Sequence, residues 1–135
     1  MGLFSWIFKK EKKKENKVKE EVEKETGLTE LEKLCIGDLE VFDALKDTMF
    51  LNPRKIDISL EDAVSKAKEL EKAKDTLRAA IWYKIAGGLA IYEGNVSKVK
   101  ECFSKYAELT KIRPKILEIP DKAVKRAQEY YKKYL

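Results

Sequence analysis

Residues 75–114 read DTLRAAIWYKIAGGLAIYEGNVSKVKECFSKYAELTKIRP, and this stretch decides the fold. Leu77, Ala80, Ile81, Ile85 and Leu89 recur at helical spacing, so a helix is predicted from Asp75 or Thr76 onward. Glu93-Gly94-Asn95 is a turn signal, and Ser97 is the expected cap of the next helix. Val99, Phe103, Tyr106 and Leu109 then form one stripe, which Pro114 is expected to close. Two helices joined by a tight turn form a helical hairpin. Gly87-Gly88, inside the first of them, has no phosphate-binding fingerprint around it. The pair is read as a close approach between helices.

The same signals continue outward. Thr29-Glu30-Leu31-Glu32 is a capping box, followed by Leu31, Leu34, Cys35, Leu39, Phe42, Leu45 and Met49 at helical spacing. Asn52-Pro53 ends that element, with Gly37 as a weak point inside it. Ser59-Leu60-Glu61-Asp62 caps a second helix carrying Ala63, Ala67, Leu70 and Ala73 on one face. Pro120-Asp121 opens a last helix with Ala123, Ala127, Tyr130 and Tyr134 on one stripe. Ile56-Asp57-Ile58 alternates but is too short to build a sheet. The expected fold is all-α, a five-helix bundle or a short stack of helical hairpins, preceded by a charged N-terminal helix or tether.

Residues 80–113 resemble a tetratricopeptide repeat, a helix-turn-helix unit of about 34 residues. Tyr83 stands at the aromatic position of its first helix, Gly87 at the small position, Gly94 at the turn and Phe103 at the large position of its second helix. Pro114 lies just past the usual closing proline, while Ala90 and Val99 depart from the pattern. Ala63, Ala67 and Leu70 precede Val99, Phe103 and Tyr106 by 36 residues, which suggests a degenerate earlier repeat. The resemblance implies a stack of hairpins over about residues 60–113 with a concave binding face. On that face it places Ile81, Lys84, Gly88 and Ile91, with Lys84 the cation for an acidic peptide or a C-terminal carboxylate. The alternative is that Lys84 is one solvated lysine among 25.

Composition narrows the chemistry. The chain has 135 residues, no histidine, 6 glycines and 3 prolines, so breakers are few and one domain of helices is expected. Without histidine, hydrolytic triads and zinc sites lose their central residue, and adjacent acids such as Glu61-Asp62 do not face each other on a helix. No catalytic residue, metal site or cofactor is expected. The 25 Lys and 17 Glu against one Gln and three Asn suggest a thermophilic source. Cys35 and Cys102 sit in apolar helical patterns and are expected as reduced core thiols, with a disulfide between them the alternative.

The helical domain is expected over residues 27–135, preceded by an apolar tip and a Lys/Glu-rich tether over residues 1–26. Met1-Gly2-Leu3-Phe4-Ser5-Trp6-Ile7-Phe8 is too short to span a bilayer and has no signal-peptide cleavage site. Trp6 stands where the myristoylation pattern needs Ser or Thr. From Lys9 to Lys19 there are 7 Lys against 2 Glu. This apolar tip on a basic stalk resembles the openings of peripheral membrane proteins. The expected lipid contacts are Leu3, Phe4, Trp6, Ile7, Phe8, Lys9, Lys10, Lys12, Lys13 and Lys14. The alternative is that the tip packs against protein, in this chain or in a partner subunit.

Residues 111–135 carry 8 cations against 3 acids, whereas residues 26–110 carry 13 against 15. Lys122, Lys125 and Arg126, interleaved with tyrosines on the last helix, are therefore a second candidate contact with an acidic partner or RNA. The expected function is a non-catalytic protein–protein interaction adaptor, cytoplasmic and held peripherally at the inner face of the membrane. A nucleic-acid-binding protein using its basic ends is one alternative. A structural subunit of a homo-oligomer is the other.

Overall fold

A computed structural model describes residues 30–135. The chain divides into two compact units, Met1–Lys33 and Leu34–Leu135, and the architecture below is that of the second. The apolar tip, the lysine stalk, Thr29 of the capping box and the expected boundary after residue 26 lie outside the described residues.

The fold is all-α, with no strand among the described residues. It contains α1 (Leu39–Lys46), α2 (Leu60–Lys72), α3 (Thr76–Glu93), α4 (Val96–Thr110) and α5 (Pro120–Tyr134). Short 3-10 turns, Pro53–Lys55 and Lys115–Leu117, occupy two of the connections. Helix α3 is the centre of the unit, flanked most extensively by α4 and α2, with α5 against its C-terminal end.

Sequence signals set most of the helix ends. Ser59 Oγ accepts from the Asp62 amide at 3.1 Å and Asp75 Oδ1 from the Arg78 amide at 3.4 Å, so both expected caps form. The cap of α4 differs from the expectation. Asn95, not Ser97, accepts from the Lys98 amide at 3.1 Å. Gly94 ends α3 with a left-handed φ of 71°, leaving Asn95 as the residue that must open α4. At its other end α4 stops at Thr110, ahead of Pro114, where Lys111 takes the left-handed conformation.

The first expected helix is also divided. Residues 30–34 are helical, residues 35–37 form a turn, and α1 begins only at Leu39. Gly37 causes the break through its φ of 85°, since there is open space where a side chain would stand.

The glycine pair of α3 is a close-packing device. A Cβ on Gly87 would stand 2.6 Å from the ring of Phe103 in α4, and one on Gly88 would stand 2.5 Å from the ring of Phe50. Phe103 is fully buried, so α4 rests directly on the backbone of α3. A polar tie joins three helices. The Tyr83 hydroxyl donates to Glu71 Oε1 at 2.6 Å, and Lys105 Nζ donates to Glu71 Oε2 at 3.3 Å. Cys35 and Cys102 are both free and buried, and burial pushes the Cys102 thiol up to about 11.

Candidate partner-binding groove

Helix α3 carries only Arg78, Lys84 and Glu93 as charged residues along its 18 positions. A helix apolar on nearly every side needs cover on nearly every side. Packing against the other helices covers the C-terminal half, where Ala86, Ala90 and Ile91 are fully buried. The N-terminal half is left partly open, with Leu77 74% and Ile81 49% exposed.

Beside this open half lies a groove of about 490 Å³, walled by the segment Lys46–Phe50 on one side and by Ile81, Lys84, Ile85 and Tyr106 on the other. A second hollow of about 260 Å³ adjoins it through Asp47, Thr48, Lys84 and Tyr106, and runs on to Ile112 and Arg113. Thr48 is buried at the junction, its hydroxyl donating to the Ala44 carbonyl at 2.6 Å. Phe50 is fixed at the far end, where its carbonyl accepts from the Tyr131 hydroxyl at 2.5 Å.

Lys84 stands at the centre, its Nζ 5.8 Å from the centroid of the Tyr106 ring. Among the described residues it forms no ion pair, and neither does Arg113 at the rim. Asp43 is different: Lys46 reaches it at 3.2 Å and Lys115 at 3.4 Å, and both hold its carboxyl below the ordinary aspartate range. Lys84 is also far from either end of α3, so it does not serve a helix dipole.

The expected partner contacts divide into groups. Ile81 and Lys84 come together in the groove. Ile91 does not, because it is fully buried, with its carbonyl accepting from Gln128 Nε2 of α5 at 2.7 Å. The Phe50 ring covers Gly88. Lys122 and Arg126 hold the fold: Lys122 pairs with Asp38 at 2.8 Å, and Arg126 Nη1 donates to the Leu34 carbonyl at 2.9 Å. Lys125 lines another hollow, of about 670 Å³, with Arg54, Tyr92 and Lys132, sharing no lining residue with the groove. That hollow lies where α3 and α5 end, and Arg54 there donates to the Leu135 carbonyl at 3.3 Å. Cations at such a place balance the negative ends of helices. Trp82 is half-buried, with Lys66 Nζ 4.5 Å above its ring.

Sequence reading missed the groove's far wall. Thr48 and Phe50 fall in the stretch expected to continue the first helix as far as Asn52-Pro53, whereas α1 ends at Lys46 and the chain beyond it is irregular, and Tyr106 reads as core on its stripe. The available signal was α3 itself, too apolar to be covered by one layer.

Among the described residues no cluster of three or more His, Cys, Asp or Glu is arranged to hold a metal, and no helix is long and apolar enough to cross a membrane. Comparison of the chain with protein families, with characterised proteins and with solved structures found no match.

Proposed function

We propose that this chain is a non-catalytic adaptor that binds another protein in the groove over α3 and is recruited to the inner face of a membrane by its N-terminal segment. The observation that carries the binding half is the pair Ile81 and Lys84. A half-exposed aliphatic side chain and a cation without a carboxylate partner among the described residues lie one turn apart in a concave surface. A surface of this kind suits recognition by a few anchoring contacts rather than by area.

The hairpin arrangement supports a tetratricopeptide-like reading. Ala63 and Ala67 of α2 are fully buried, as are Val99 and Phe103 at the positions 36 residues later in α4, and both helices pack on α3. The membrane half rests on sequence. Five large apolar residues precede 7 Lys against 2 Glu, and each cation near an anionic leaflet contributes about 1 kcal/mol. Tethering raises the local concentration of whatever the groove holds.

A photo-crosslinking residue at position 81, compared with one at the exposed Lys100 of α4, tests the binding half. A protein captured from position 81 and absent from position 100 is the expected result, and equal capture from both rejects the groove. Co-sedimentation with anionic and neutral liposomes tests the other half. Binding that needs anionic lipid and is lost in a Phe4→Ser/Trp6→Ser variant is expected. No binding by the wild-type chain rejects recruitment.

A further inference from the structure

The groove's shape and charge narrow the partner. Leu77, Ile81 and Ile85 follow one another at four-residue spacing along α3, a ridge about 12 Å long at the helical rise per residue. Ridges of this spacing are what a second helix packs against. An extended peptide has less to gain here. Its backbone needs a strand edge to pair with, none exists among the described residues, and a helix satisfies its own backbone groups.

Charge gives the partner's sign. The walls of the groove and its adjoining hollow carry Lys46, Lys84, Arg113 and Lys115 against Asp43 and Asp47, four cations to two acids. Residues 26–110 as a whole carry 13 cations to 15 acids, so the groove runs against the charge of the segment that supplies most of it. Lys46 and Lys115 are occupied by Asp43, which leaves Lys84 and Arg113 as the groove cations that form no ion pair among the described residues. A second copy of the chain fits poorly. An isologous pairing of two α3 ridges would bring both copies of Lys84 onto one seam, like charge against like.

On the reading that this groove is the binding face, we propose that its occupant is an acidic amphipathic helix of another protein. Aliphatic side chains one turn apart seat along Leu77, Ile81 and Ile85. A carboxylate on the flank of that helix meets Lys84, and a second meets Arg113.

The full-length chain can be titrated into two fluorescent synthetic amphipathic helices with identical leucines, one flanked by Glu and the other by Lys. The Glu helix is expected to bind roughly tenfold tighter or better, with the gap narrowing as salt rises. Ile81→Asp is expected to weaken the Glu helix by roughly tenfold or more. Lys84→Glu is expected to transfer the preference to the Lys helix, a reversal that loss of structure does not produce. Circular dichroism of both variants checks folding, and both side chains are solvent-exposed in the native fold.

Equal binding of the two helices, still weakened by Ile81→Asp, overturns the acidic partner and leaves the groove in place. Binding indifferent to Ile81→Asp overturns the groove as well. If neither helix binds, the proposal is overturned. Concentration-dependent mass abolished by Ile81→Asp would then assign the ridge to a second copy of the chain.

Discussion

The ring of Phe50 lies where the side chain of residue 88 would be, 2.5 Å from the place a Cβ on Gly88 would occupy. Phe50 belongs to the irregular segment after α1, so this contact sets how far that segment closes over α3 and how wide the groove stands. The neighbouring pair, Gly87 and Phe103, does the same job inside the core. The two glycines therefore have separable consequences. Gly87→Ala forces a fully buried ring to move, and overpacking of about 1–3 kcal/mol outweighs the helix-propensity gain of about 1 kcal/mol. Gly88→Ala meets a ring that is only half-buried and can swing outward. Urea denaturation is expected to show clear destabilisation for Gly87→Ala and a change under about 1 kcal/mol for Gly88→Ala. Helix binding in the groove is expected to suffer more from Gly88→Ala.

How much of this was legible in the sequence depends on which physics was local. Ser59, Asp75 and Gly94 act on backbone groups within four residues, so the ends they set are readable from short motifs. Gly37 is local too, but a glycine within a helical pattern is tolerated or terminating according to its φ, and its neighbours do not state that value. The groove was half legible. Ile81 and Lys84 follow from the face of one helix, whereas Phe50 and Tyr106 reach it through tertiary packing. Ile91 was misplaced because α5 returns to cover that end of α3, a contact made 37 residues along the chain through Gln128. Lys122 and Arg126 read as free cations because their partners, Asp38 and Leu34, lie at the other end of the unit.

The competing caps of α4 give a direct test. Asn95 holds the Lys98 amide, while Ser97 lies inside the first turn. Asn95→Ala is expected to cost about 1 kcal/mol and Ser97→Ala close to nothing. A larger loss for Ser97→Ala than for Asn95→Ala in thermal or urea unfolding would return the cap to Ser97.

The buried cysteines bear on chemical reactivity. Burial raises both thiols above the ordinary cysteine value, Cys102 to about 11, so little thiolate exists at neutral pH and none is accessible. Alkylation of the native chain at pH 8 is expected to be slow and to accelerate with urea along the unfolding curve. Fast labelling of Cys102 in the folded protein would contradict its place in the core.

Glu71 ties α2 to α3 and α4, and its ionisation makes that tie sensitive to pH. The hydrogen bond from Tyr83, and after it the one from Lys105, hold the Glu71 carboxyl below its usual value of 4.5. A depressed carboxylate contributes stability that is fully present above its unfolded value and is lost as pH falls through the folded one. Tyr83 is the converse case. Burial and Glu71 push its hydroxyl well above the ordinary tyrosine value of 10.0, so the contribution persists below that value and fades only as pH rises beyond it. The tie is therefore complete between about pH 5 and pH 9. Tyr83→Phe removes the donor while keeping the buried ring, and at pH 7 it is expected to cost about 1–2 kcal/mol. The cost is modest because the Glu71 side chain is 30% exposed and solvent screens part of the interaction. Denaturation of wild type and variant at pH 7 and near pH 3 checks the sign. The difference between them is expected to shrink in acid as Glu71 takes up a proton, and a difference that stays constant would show that the ring's packing, not its hydroxyl, carries the contact.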